Sequence, residues 1–332
     1  MKKTRIICTI GPSSSSSKIL KELIKEGVDI FRINMSHTKL SKLPSIIKKL
    51  KKNVGKDNIC IDTEGAQLRT TLVKKKILIK KNKIIKIFNG NHLSNNHNLY
   101  LYPKFNILST PNNTKIFVGF DGIILKIIKK DLKKKCLIAK VLNSGYLDSN
   151  KGVHIDKKIK LDCLTKKDLS AIEFAKNQGI KKFAMSFVNS GKDIVLIRKI
   201  IGYKSFLISK IETLNAIKNF KQISKLSDAV LIDRGDLSRE VPIEKIPLAQ
   251  ENIIKMSKKN KIPVYVATNL LETMIKDSLP TRAESHDIYS TLKQGASGLV
   301  LAAESAIGIN PVECVIFLKK CILEKNKNFK FF

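Results

Sequence analysis

Two apolar runs in this 332-residue chain end in charged residues. "SFLISKIE" closes on Lys210 and Glu212, and "DAVLIDRGDLS" passes from Ile232 into Asp233, Arg234, Gly235 and Asp236. Such groups are costly at the end of a buried strand unless something binds there. Lys210 and Glu212 are two residues apart, so a strand turns both to one face. Glu212 and Asp236 are the kind of oxygen donor that Mg²⁺ or Mn²⁺ takes while keeping positions for water and substrate. Lys210 beside them is a point charge for a phosphate or a developing enolate oxygen. A structural ion pair is the competing account of the same residues.

Other residues fit the same chemistry. Gly235 permits close backbone approach, and its amide can bind a ligand carboxylate. Arg32 and Arg69 offer planar donors to phosphate oxygens. Thr268 offers a hydroxyl for substrate positioning or proton relay, or is a buried, hydrogen-bonded threonine. Asn34, Ser36 and Asp62 form an oxygen-rich set that either holds a monovalent cation or bonds within itself. His37 reads as a positional hydrogen-bonder rather than a base. There is no P-loop and no complete GxGxxG at a strand–helix turn, so a nucleotide would bind in another way.

The elements that must position these groups alternate regularly. Strand-like runs ("RIICTI", "DIFRINM", "NICIDTE", "KKFAMSFV", "SFLISKIE", "DAVLIDRG", "PVYVATNL", "SGLVLAAES") are separated by amphipathic helical stretches, several ending in Gly. Eight of each is the count of a (β/α)8 TIM barrel, an α/β fold. Nearly every strand ends in polar residues: Arg32, Asn34 and Ser36; Asp62 and Thr63; Ser186; Lys210 and Glu212; Arg234 and Asp236; Thr268; Glu304. That is the barrel face on which catalysis occurs. From about Thr71 to His154 the pattern changes to short alternating runs broken by Asn/Gly turns, as in a small all-β domain inserted after the third strand. The expected organisation is a barrel of residues 1–70 and 155–332 around an insert of residues 71–154.

Composition narrows the class. With 43% hydrophobic residues and no apolar run near the roughly 20 residues of a membrane helix, a globular, cytoplasmic protein is expected and no membrane partner. "MKKTRIICTIGP" is too short in its apolar part for a signal peptide and reads as a first strand. "SSSSS" at Ser13–Ser17 can cap the following helix. The six cysteines lack metal-ligand spacing and read as buried or neutral thiols of a reducing cytosol. The formal charge of +35 favours anionic partners. The basic runs lack interleaved aromatics, and the Lys, Ile and Asn richness without Trp fits compositional bias, so nucleic acid is not the expected partner.

Taken in order, the motifs resemble those of the pyruvate kinase family over nearly the whole chain. "TRIICTIGPSS" is similar to its opening strand, "FRINMSHT" to its Arg-x-Asn-x-Ser-His motif and "DTEGAQLRT" to Asp-Thr-Lys-Gly-Pro-Glu-Ile-Arg-Thr. "SKIET" matches the Lys-Ile-Glu signature, "DRGDLSREVPIEKIPLAQ" the Arg-Gly-Asp-Leu motif, and "VATNLLETMIKDSLPTRAE" the seventh unit. "NSGYLDSNKGVHI" resembles the exit from the family's inserted domain. The resemblance implies transfer of a phosphoryl group from phosphoenolpyruvate to ADP, with Mg²⁺ or Mn²⁺ on Glu212 and Asp236. It implies that Gly235 and Asp236 receive the substrate carboxylate and that Lys210 stabilises the phosphoryl group and enolate. Thr268 is implied near the protonation site and Arg32 on phosphate. Arg69 and Lys151 are implied on the ADP side, and Asn34, Ser36, Asp62 and Thr63 around K⁺. A homo-oligomer through the barrel and a lid made by the insert follow from the same source.

The chain also departs from the family pattern. It stops after the eighth helix, so the family's C-terminal regulatory domain is expected to be absent. Glu64 replaces a lysine, and Ala66-Gln67 replaces Pro-Glu, which removes a carboxylate linked to potassium use. Asp233 replaces a small residue, Ser238 a glycine and Asn269 a glutamine, and Ile307 stands where a lysine is usual. Two alternatives follow. One is a diverged paralogue acting on another enolpyruvate or 2-oxo acid, and the other is a basic binding protein without catalysis.

Overall fold

Eight parallel strands close the barrel: β1 (Arg5–Thr9), β2 (Ile30–Asn34), β3 (Ile59–Asp62), β4 (Lys182–Met185), β5 (Phe206–Ile211), β6 (Ala229–Asp233), β7 (Val264–Ala267) and β8 (Gly298–Leu301). Each pairs with its sequence neighbours, and β8 returns to β1 with Arg5 opposite Gly298. The computed structural model describes residues 3–65, 67–119, 122–157, 159 and 161–325; the Ala66 replacement lies outside them. The alternation seen in the sequence therefore does fold as a TIM barrel with a β-domain inserted after β3.

Helices follow the strands. The first, Ser17–Lys25, is capped by Ser16, whose hydroxyl accepts from the Ile19 amide at 3.2 Å. This satisfies one of the amides orphaned at a helix start. Thr281 and Glu284 form a capping box at Arg282–Gln294. No helix among the described residues is long and apolar enough to cross a membrane.

The period of two in the strands sets the site. Ile7, Ile30, Cys60, Ile208 and Leu231 belong to one buried cluster within the barrel. Two residues further along the same strands stand Thr9, Arg32, Asp62, Lys210 and Asp233. Residues two apart share a face, so a polar layer sits directly on the apolar one, at the C-terminal end of the strands.

Packing divides the chain into residues 1–65 with 166–332 and residues 66–165. The second unit closes its own seven-stranded barrel, with a separate pair Ile77–Ile79 and Gly145–Leu147. Its sheet begins at Leu68–Thr70 and ends at Gly152–Ile155, so it takes in residues on both sides of the 71–154 span read from the sequence. Ile85, Ile87, Leu99, Leu101, Ile116 and Leu125 fill its core. Lys115, Lys126 and Lys140 are aligned on adjacent strands and exposed.

Four of the six thiols are buried, while Cys163 and Cys321 are half-buried. Cys8, Cys60, Cys136 and Cys314 are buried, and burial pushes the Cys60 and Cys314 thiols up to about 12.

Candidate active site

Lys210 is the hub of the polar layer. Its Nζ lies 2.7 Å from Glu212 Oε1, 3.3 Å from Asp233 Oδ2 and 3.7 Å from Asp62 Oδ2, and it donates to Ser186 Oγ at 3.1 Å. Arg32 Nη1 pairs with Asp62 Oδ2 at 3.0 Å, and its Nε donates to Thr9 Oγ1 at 2.8 Å. Thr9 in turn donates to the Leu301 carbonyl, which turns a lone pair of its hydroxyl toward Arg32. Asp62 and Glu212 are buried, and each is anchored from outside the strand that carries it. The Phe187 amide donates to Glu212 Oε2 at 2.6 Å, and Ser186 Oγ contacts Asp62 Oδ1 at 3.4 Å.

The turn after β6 completes the layer. Thr268 Oγ1 donates to Asp233 Oδ1 at 2.7 Å. A Cβ on Gly235 would lie 2.9 Å from Thr268 Cγ2, so only glycine lets that turn approach the end of β7 so closely. Asp236 pairs with Arg239 at 3.1 Å. Phe187, Thr268 and Asn269 have φ of 54°, 78° and 56°, in the left-handed region that non-glycine residues seldom occupy. For the β-branched Thr268 this is stored strain, and such strain gathers at functional sites.

The charges are tightly coupled. Burial opposes the Lys210 ammonium, but Asp62, Glu212 and Asp233 outweigh it and hold its pKa above the ordinary lysine value. Burial pushes the Glu212 carboxyl up to about 8 despite Lys210, with Asp236 and Asp233 adding to the rise. Burial also acts on Asp233, but Lys210 and the Thr268 hydroxyl more than offset it and keep its carboxyl below the usual range.

A divalent cation fits these donors. Glu212, Asp233 and Asp236 each bring a carboxylate oxygen within 4.8 Å of the other two. Glu212 Oε1 is buried and faces Lys210 Nζ at 2.7 Å. Three hard, charged oxygen donors so close together suit Mg²⁺ or Mn²⁺.

Of the residues picked out in the sequence, Arg32, Asp62, Ser186, Lys210, Glu212, Gly235, Asp236 and Thr268 are brought to this end of the barrel. Asn34 and Ser36 bond locally, the Ser36 amide donating to Asn34 Oδ1 at 2.9 Å. Thr63 Oγ1 accepts from the Ser186 amide at 3.1 Å. Arg69 and Lys151 belong to the inserted unit. There Arg69 donates to the Asn150 carbonyl at 3.4 Å, and the Lys151 amide donates to Thr70 Oγ1 at 2.8 Å.

Two strand-end charges have backbone work instead. Glu304 accepts from the Ala302 amide at 2.7 Å and the Leu271 amide at 3.3 Å. Arg234 pairs with Asp287 and donates to the Thr268 carbonyl. Lys210, not Arg234, is the cation beside Asp233. The Glu64 replacement is matched by Lys167, 3.0 Å away.

Sequence reading noted Asp233 only as a departure from the family pattern, not as a site residue, and it passed over Thr9 and the Phe187 amide. A signal existed for the first. Counting by twos from Ala229 through Leu231 reaches Asp233, which gives it the same inward parity as Lys210.

Comparison with known proteins places the chain among relatives. Residues 1–315 match the family model described as pyruvate kinase, barrel domain. A pyruvate kinase of Thermotoga maritima is 34% identical over 348 residues, covering 100% of this chain and 73% of that protein. One from Sporosarcina psychrophila is 32% identical, covering 95% of this chain and 56% of the relative, and one from Chlamydia pneumoniae is 32% identical, covering 98% and 69%.

Proposed function

The chain belongs to the pyruvate kinase family, and from that premise we propose that it transfers the phosphoryl group of phosphoenolpyruvate to ADP. The P–O bond to the enol oxygen breaks, a P–O bond to the ADP β-phosphate forms, and the enolate takes a proton at carbon to give pyruvate. The observation that carries this reading is Lys210, buried and held charged among three carboxylates beside a cation site.

Each group has a role suited to its surroundings. A divalent cation held by Glu212 and Asp236 would neutralise charge on the phosphoryl and enolate oxygens. Lys210, kept positive by its neighbours, stabilises the same charge as it develops. Arg32 spends only part of its five-donor guanidinium on Asp62 and Thr9, which leaves donors for phosphate. The Gly235 and Asp236 amides receive the substrate carboxylate. Thr268, anchored through Asp233, stands by the carbon that is protonated. Arg69 and Lys151 are the proposed donors to ADP, and Asn34, Ser36, Asp62 and Thr63 the proposed potassium ligands. Activity on another 2-oxo acid is the second reading, favoured by the extra carboxylate of Asp233 beside an anionic substrate.

An assay coupling pyruvate to NADH oxidation separates the two. Turnover should require phosphoenolpyruvate, ADP and Mg²⁺ together, and repetition without K⁺ tests the potassium ligands. No pyruvate at saturating Mg²⁺ and K⁺ would sink the proposal.

The raised Glu212 pKa has a consequence for stability. The folded state binds this proton up to about 8, against the ordinary value of 4.5. The group therefore withdraws stability as pH rises between those values, because the ionised form is desolvated. A cation on Glu212 reverses that cost. The rise in melting temperature on adding Mn²⁺ should be small at pH 6 and should level off above about pH 8. A shift independent of pH would show that Glu212 is not a ligand.

A further inference from the structure

Asp233 is the one carboxylate of the layer that phosphoryl transfer, as set out above, uses only as an anchor. It replaces a small residue of the family motif. Its side chain is 13% exposed, so ions reach it, whereas Glu212 and Asp62 are at 0%. One oxygen takes the Thr268 hydroxyl. The other faces Lys210 at 3.3 Å, a longer contact than the 2.7 Å between Lys210 and Glu212.

We propose that Asp233 is a third carboxylate of the cation centre and strengthens its hold on Mg²⁺ or Mn²⁺ before any phosphorylated substrate arrives. The inference rests on the cation site of the preceding section. Its basis is the charge balance of the layer. With every group ionised, Asp62, Glu212, Asp233 and Asp236 face Lys210, Arg32 and Arg239. Without Asp233 the carboxylates and cations would be equal in number, and the centre would hold a divalent ion less strongly on its own. With Asp233 the layer carries a surplus negative charge of its own. Its place is suited to that task, because its carboxylate oxygen lies within 4.8 Å of oxygens of both Glu212 and Asp236.

The same residue explains how an extra negative charge is tolerated beside an anionic substrate. A cation already on the centre cancels it, so the substrate meets a site that is no longer net negative.

The test is calorimetric titration of the metal-free protein with Mn²⁺ at pH 8, with no substrate present. Wild type should bind Mn²⁺, and Asp233→Asn and Asp233→Ala should each weaken it by about tenfold or more, as expected for removing one charge from a hard-ion site. Asp233→Asn keeps the shape and an acceptor for Thr268, and circular dichroism with thermal melting checks that both variants fold. Asp277→Asn, an exposed acidic residue elsewhere, controls for net charge and should bind as wild type does. Phosphoenolpyruvate should then tighten Mn²⁺ more in the Asp233 variants than in wild type, because its charge substitutes for the one removed. If folded Asp233 variants bind Mn²⁺ as tightly as wild type, the inference is overturned while the cation site stands. If wild type itself binds no Mn²⁺, the cation site beneath it fails.

Discussion

Lys210→Met lowers phosphoryl transfer by about a thousandfold, the order lost when a preorganised donor to a developing oxyanion is removed. The methionine fills a similar space but carries no charge. Three carboxylates lose their shared cation, and breaking a buried pair is usually destabilising. Here the damage is limited. Asp62 keeps Arg32 at 3.0 Å, and Glu212, already pushed up to about 8, takes a proton more readily. The variant should therefore fold, melt at a lower temperature, and regain part of the loss with Mn²⁺. It should also bind Mn²⁺ more tightly than wild type, since a competing positive charge has gone. A turnover above a tenth of wild type would show that Lys210 is structural.

Glu212→Gln should abolish turnover to a similar degree by the opposite route. The amide is close to isosteric and can still meet the Phe187 N–H. It removes the carboxylate that the cation needs and leaves Lys210 with Asp62 and Asp233. Mn²⁺ affinity should fall steeply, measured by the same titration. Opposite shifts in metal affinity at equal loss of turnover are what a merely structural role for these two residues does not produce. Equal Mn²⁺ affinity in both variants would mean that the cation sits elsewhere.

Much of this was legible because a parallel barrel repeats one rule. Apolar runs of strand length between amphipathic stretches predict the eight units, and polar residues at the strand ends predict which face is used. Lys210 and Glu212 stood out because their spacing of two puts them on one face with Ile208 below.

What was not legible depended on which side chain reaches which. Arg234 is next to Asp233 in sequence, yet its guanidinium turns away to Asp287, while Lys210 comes to Asp233 from the neighbouring strand. Glu304 looked like a site residue, but its carboxylate ties down the amides of Ala302 and Leu271. Likewise "DTEGAQLRT" is continuous as a motif, but its last residues, Leu68–Thr70, form a strand of the inserted sheet. Partners across strands decide these matters, and spacing along one strand does not encode them.

The most direct measurement follows phosphorus itself. Purified protein with phosphoenolpyruvate, ADP and Mg²⁺ is observed by ³¹P NMR. The resonances of ATP should grow in step with the loss of phosphoenolpyruvate, and EDTA should stop both. Release of inorganic phosphate with ADP unchanged, or no loss of phosphoenolpyruvate at all, would contradict phosphoryl transfer by this chain.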